Sequence, residues 1–243
     1  MCHTNLTAKQ LNSTENSIFT SLGDRMKEYE ESLHVRIAVP FVIIRLNGRG
    51  FSQFTRSFQQ PYDERIHLAM TETCKDVLTN YHDCTIAYTQ SDEITLIFTN
   101  GLQQFNGRTD KYLSLLGSLV SVRFNHHLKF QPEISDSNLG IATFDARIFI
   151  VPTIEECLYC ILWRRTDNHR NSVDKYARQH FSAKELNKKN TSDKIEMMKT
   201  SGVDYYQVAP TWVQNGHTEF NSMLSVLKDL RDYRQTRTFR AYW

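Results

Sequence analysis

Two short segments constrain this chain more than any others. Residues 42–51 read VIIRLNGRGF, and residues 88–98 read YTQSDEITLIF. The first is a nearly unbroken apolar run that breaks into Asn47-Gly48-Arg49-Gly50. Such a run suits a strand covered on both faces, and Asn-Gly is a turn dipeptide. The second reads as a tight hairpin with Ser91, Asp92 and Glu93 at its tip. Side by side in one sheet, the segments would bring carboxylates, backbone amides and an exposed turn to the same edge.

The rest of the chain supplies the frame. Residues 16–33 carry Phe19, Leu22, Met26 and Tyr29 at helical spacing. Asp63 can cap a helix over 64–80, with Ile66, Ala69, Thr73 and Val77 facing inward. Short strands are expected over 84–89 and 93–99, and a helix over 108–128 presents Tyr112, Leu116, Val120 and Phe124 on one side. A strand over 142–151 is stopped by Pro152. The order β-α-β-β-α-β predicts an α/β (α+β) fold, a ferredoxin-like sheet under two helices. Two helices are expected over 153–166 and 168–188, an irregular segment over 201–227 and a helix over 219–234. The division expected is a palm-like domain over 1–152 and a helical region over 153–243 packed on it.

Charge is unevenly spread. The net charge is only +2, but residues 1–160 carry −4 and residues 161–200 carry +5. An acidic part beside a basic part suits metal chemistry next to a polyanion, although charge runs also occur as plain solvated helix faces. No run of 18 apolar residues predicts a membrane span. The polar N-terminus lacks the apolar core of a secretory signal, and no Arg precedes Arg25 as a transit peptide would require. Five cysteines, including the lone pair Cys157 and Cys160, read as free thiols in a reducing compartment. The expected location is the cytoplasm, with the mitochondrion as the alternative. Trp163 reads as core. The interleaved bases and aromatics from Tyr233 to Trp243 read as a helix packed on the body, with stacking on unpaired nucleotides as the alternative.

On a polymerase palm, the first strand and the following hairpin present acids to two cations that activate a hydroxyl and steady a leaving group. Asp92 is the best candidate ligand, and Gly48 lets its carbonyl approach a cation. The amides of Gly48, Arg49, Gly50 and Phe51 would cradle a triphosphate as a backbone nest. Each motif alone also reads as an ordinary turn; their joint placement on this frame favours the site. Arg108 and Lys111, three apart on one helix face, would grip phosphates together.

The motifs LNGRGF, PYDER (61–65), YTQSDE (88–93), FDAR (144–147), WRRTDNHRNS (163–172) and NTSDK (190–194) resemble, in order, those of the tRNA(His) guanylyltransferase family and its like-proteins, the 3′-to-5′ polymerases. The resemblance spans residues 16–200. It implies a polymerase palm that adds nucleotides to tRNA 5′ ends with two Mg2+ ions and ATP, GTP or other nucleoside triphosphates. It also implies a homotetramer and a partner in the tRNA 5′ end and acceptor stem. By match, Asp92 and Gly48 would ligate metal, with Ser91 and Glu93 flanking. Asp63 matches an acid of the nucleotide site. Arg108, Lys111 and Lys194 match phosphate contacts. His169 and Asn171 match two positions of a His-Ile-Asn-Asn segment. Arg164, Arg165, Arg170, Lys175, Arg178 and Lys188 would meet tRNA phosphates.

The sequence departs from the family at Asn47, which stands where a metal aspartate is expected; a neutral amide is a weaker ligand for Mg2+ than a carboxylate. Gln60 replaces a common Lys. His169-Arg170-Asn171-Ser172 points to the like-protein branch, whose members repair truncated tRNA 5′ ends on a template. The alternatives are a tRNA(His) guanylyltransferase adding a single G, and a non-catalytic tRNA- or nucleotide-binding relative.

Overall fold

The computed structural model describes residues 22–32 and 34–221. The N-terminal part of the expected 16–33 helix, Cys2, and Tyr233 to Trp243 lie outside them. Helix α1 covers 22–32. Then follow β1 (Val42–Gly48), α2 (Phe51–Phe54), α3 (Glu64–Asn80), β2 (Ile86–Gln90), β3 (Glu93–Phe98), α4 (Thr109–Lys129) and β4 (Phe144–Ile150). The predicted βαββαβ order is present. Strand order in the sheet is β4-β1-β3-β2-β5, all pairings antiparallel.

The C-terminal part differs from expectation. One helix, α5 (Ile154–Ala177), replaces the expected pair. The break expected near 167 does not occur, because Asn168 and Ser172 bury their polar groups against later segments instead of opening a turn. Asn168 donates to the Val213 carbonyl at 2.8 Å, and Ser172 bonds the Tyr205 hydroxyl at 2.5 Å. Short helices α6 (Ala183–Leu186), α7 (Thr191–Thr200), α8 (Tyr205–Val208) and α9 (Thr211–Asn215) lead to β5 (His217–Phe220). The segment expected to be irregular therefore closes one edge of the sheet; Glu219 and Phe220 are in β5, and the rest of the helix expected over 219–234, from 222 on, lies outside the described residues. Four residues with weak alternation give little strand signal, and the partner β2 lies far away in sequence. Tyr88 ties the junction down, donating within reach of both Gln90 Oε1 (2.9 Å) and the Asn215 carbonyl (3.0 Å).

Alternation along each strand sorts side chains to two faces. Val42, Ile44, Leu46, Ile94, Leu96 and Phe98 point to the α3/α4 face and are fully buried there with Val77, Tyr112, Leu116, Val120 and Phe124. Asp63 caps α3 as expected, accepting from the Arg65 amide at 2.9 Å. The other face carries Ile43, Ile86, Tyr88 and Ile97 under Cys157, Cys160 and Ile161 of α5. Cys74, Cys84, Cys157 and Cys160 are all buried and free.

Candidate active site

Strand β1 ends and the β2–β3 turn falls at the same edge of the sheet. There the Gly48 amide donates to the Asp92 carbonyl at 2.9 Å, and the Arg49 amide to Thr143 at 2.8 Å. Gly48 has to be glycine: an added Cβ would sit 2.1 Å from the Phe51 ring. That ring is buried against Phe54, Phe124 and Phe144, so it cannot yield. Gly50 sits at φ 66°, the left-handed conformation glycine adopts without strain. The expected four-amide nest is therefore narrower. The amides of Gly48 and Arg49 are taken, while those of Gly50, Phe51 and Ser52 open α2, where a helix has no carbonyl for them. Phe51 supports the loop from the core rather than offering its ring.

Beside this loop lies a cavity of about 700 Å3 lined by Gly48, Gly50, Gln60, Tyr62, Asp92, Lys175 and Trp212, among others. A second, of about 340 Å3, is lined by Asn47, Glu93, Arg164, Asn171 and Asp174, and shares Tyr62, Ser91, Asp92 and Lys175 with the first. Asp92 thus stands on the wall between two cavities. Burial raises its carboxyl above the usual carboxylate range, against the pull of the Ser91 side chain and Lys175. Ser91 sits in the turn at φ 49°. Three aromatic groups form the far wall of the larger cavity. His67 stacks on Trp212 at 4.3 Å with the planes 5° apart, and Tyr62 meets Trp212 edge-on at 6.2 Å. Burial, with His217 nearby, pushes His67 down to about 4. This aromatic wall was not legible in the sequence, because Trp212 sits some 150 residues from Tyr62 and bears no motif.

Glu93 is not at an exposed tip. It opens β3, is buried, and its carboxylate meets Arg164 Nε at 2.6 Å and Arg45 Nε at 3.8 Å. It pairs in register with Asn47, which on its other side pairs with Asp145. The arginines in turn lie against Trp163, with guanidinium carbons 5.5 and 4.6 Å from the indole centroid. Trp163 is 55% exposed and is not core as expected. An indole at the surface here shields the two guanidinium groups beneath it.

Other predicted residues separate into groups. Asp63 lies in the cavity wall but its oxygens are occupied by Arg65 and the Gln59 amide, which hold its carboxyl below the usual range despite burial. Arg108 and Lys111 stand at the opposite end of the sheet. Arg108 bridges Arg36 in the segment leading into β1, and β3 puts a strand length of about 20 Å between that end and Asp92. Lys194 is bonded to Asp174 at 2.6 Å on the helical side. Arg164 is committed to Glu93 and Asp167, and Arg165 to Asn215 at 2.6 Å. His169 is half-buried and stacks on Tyr206. Arg170 and Arg178 are exposed and paired with Asp167 and Asp174, and Asn171 and Lys188 are exposed.

The donors present suit one Mg2+ ion better than two. Asp92 offers a carboxylate and Gly48 a carbonyl, and Mg2+ is commonly held by one or two carboxylates plus substrate phosphates. Among the described residues the other acids of the two cavities are held by cations, Glu93 by Arg164, Asp63 by Arg65, and Asp174 by Lys194 and Arg178, and Asn47 is neutral. Among the described residues, no three His, Cys, Asp or Glu side chains converge as a metal cluster.

A ferredoxin-like sheet with a hairpin carboxylate, a glycine loop and a nucleotide-sized cavity at one edge defines a palm-type nucleotidyltransferase frame. The tRNA(His) guanylyltransferase family model matches residues 23–152. An uncharacterised protein of Acanthamoeba polyphaga mimivirus is 34% identical over 231 residues, 85% of this chain and 79% of that protein. The tRNA(His) guanylyltransferase of Debaryomyces hansenii is 30% identical over 136 residues, 55% of this chain and 51% of that enzyme. The match thus spans about half the length of that curated enzyme. A bacterial tRNA(His) guanylyltransferase-like protein solved in complex with ATP superposes with a TM-score of 0.73 at 28% identity, over 87% of this chain and 96% of that one. The chain belongs to the tRNA(His) guanylyltransferase family, a family of nucleotidyltransferases.

Proposed function

We propose that this chain adds nucleotides to tRNA 5′ ends in the 3′-to-5′ direction, on a template, using nucleoside triphosphates. The observation that carries the reading is the position of Asp92, joined to Gly48 and standing between two cavities. The larger cavity has the size and the aromatic lining for a nucleobase, and base–aromatic stacking is worth about 1–3 kcal/mol per base. The amides at the start of α2 would hold phosphate oxygens. Bound at Asp92 and Gly48, Mg2+ would supply positive charge to the triphosphate and help ionise the attacking hydroxyl. The exposed arginines and lysines of α5 to α7 would hold tRNA phosphates, giving affinity without sequence choice.

Asn47 sets what is open within the family. With one negative charge fewer at the reacting end, chemistry should suffer more than binding. The deciding assay offers a 5′-truncated tRNA other than tRNA(His), with a complementary template, beside tRNA(His). Extension of the truncated tRNA is the expected result. A single G added only to tRNA(His) would identify a guanylyltransferase proper. Binding of tRNA and ATP with no extension of either would identify a non-catalytic relative.

A further inference from the structure

Lys175 occupies a place that its sequence context does not announce. It lies on α5 between Asp174, bonded to Lys194 and Arg178 at 2.6 Å each, and Tyr176. Unlike Arg164, Lys194, Arg170 and Arg178, it has no carboxylate within ion-pair distance among the described residues. Its ammonium sits 4.5 Å from the Tyr62 ring centroid, and the residue lines both cavities beside Asp92. An ammonium held over an aromatic face is positioned without being neutralised. Partial desolvation at the cavity walls lowers its pKa, with Asp92 opposing. The residue itself is exposed, so its ammonium is open to an anion that enters either cavity.

The charge balance at this edge gives it work. Asn47 is neutral, and the cavity-lining acids Asp63, Glu93 and Asp174 are each ion-paired, which leaves Asp92 as the unpaired carboxylate among the described residues of the two cavities. A site that binds one metal ion leaves much of a triphosphate's negative charge unmatched, and phosphoryl transfer depends on matching it. We propose that the ammonium of Lys175 binds the phosphate chain of a triphosphate where the two cavities meet, supplying positive charge that the incomplete metal site does not. This rests on the nucleotide reading above and assigns Lys175 to the triphosphate rather than to the tRNA backbone.

The test measures ATP and adenosine binding to the full chain by calorimetry, in Mg2+ and in EDTA, for the parent, Lys175→Gln and Lys175→Arg. A lost charged hydrogen bond corresponds to about 10–100-fold in affinity. Lys175→Gln should lose that much for ATP in both buffers, keep adenosine within about twofold, and recover part of the ATP affinity as Lys175→Arg. ATP binding by Lys175→Gln within about twofold of the parent overturns the proposal, as does an equal loss of adenosine. If the parent binds neither ligand, the nucleotide reading itself fails and the proposal falls with it. A short RNA with a 5′-triphosphate, against its 5′-hydroxyl form, identifies the source of the phosphates. Displacement of ATP by the former, weakened in Lys175→Gln, assigns the ammonium to the RNA end as well. Failure to displace leaves the free nucleotide as its ligand.

Discussion

The two faces of the sheet use the same strands differently. On the α3/α4 face the β1 and β3 positions are apolar and fully buried, from Val42 and Phe98 to Leu46 and Ile94. On the α5 face the rows change character along β1. Ile43 and Ile97 are packed under cysteines, Arg45 follows, and the last row is Asp145, Asn47, Glu93 and Gln90. One face is closed by the hydrophobic effect. The other turns polar over a few residues and places charge where the cavities open. Stability and chemistry are thus assigned to opposite sides of one set of strands, and substitutions on the two sides should fail in different ways.

The largest effect should fall on the closed face. Phe124→Ala removes a fully buried ring packed on Phe51 and Phe144 and should cost about 3–5 kcal/mol of unfolding free energy, read by urea titration. A cost under about 1 kcal/mol would break the contrast. Asp92→Ala should behave oppositely. Nucleotide addition should fall by about 10²–10³-fold, with little change in the urea midpoint. Glu93→Gln tests the boundary between the faces. Breaking a buried ion pair costs about 3–5 kcal/mol, and the low end is expected because Arg164 keeps Asp167 at 3.2 Å. If Glu93→Gln instead leaves stability intact and abolishes addition, Glu93 belongs to the reaction and not to the frame.

Asn47→Asp should raise addition by about tenfold, equivalent to about 1.4 kcal/mol of barrier. The measurement is extension of a 5′-truncated tRNA at saturating Mg2+ and nucleotide. Equal activity in both forms would mean that the missing charge is supplied elsewhere. The smallest effect concerns pH. The His67 pKa is depressed on folding, so the unfolded chain binds the extra proton between about pH 6.5 and about 4. Stability from the neutral ring is present above pH 6.5 and lost as pH falls toward 4. His67→Gln should flatten that part of the melting-temperature profile; an unchanged slope would place the acid sensitivity in another group.

Much of this architecture could be read from local pattern. The helix at 64–80 was legible because its cap and its apolar spacing are adjacent in sequence, and β1 and β3 because unbroken apolar runs fit few other places. Helix α5 was misread at its middle: Asn168 and Ser172 look like turn residues until Val213 and Tyr205 arrive to bond them. Strand β5 carried too little alternation to be seen. At the candidate site, Gly48 and Asp92 stood out by motif, but not the commitment of Glu93 to two arginines. Nor could sequence tell that Arg108 and Lys111 face the far end of the sheet.

The sequence by itself determined the βαββαβ order from β1 to β4, the cap of α3, the glycine loop after β1 and the neutral residue at position 47. These depend on neighbours within a turn or a strand, where backbone sterics and apolar spacing decide. Only the tertiary structure decided which charges are free. Arg164 and Glu93 cancel each other across 71 residues, and Lys194 is bonded to Asp174. Lys175, on α5 between Arg164 and Arg178, has no carboxylate within ion-pair distance among the described residues and lines both cavities. Desolvation and distance set that outcome, and both are properties of the folded packing rather than of any one residue.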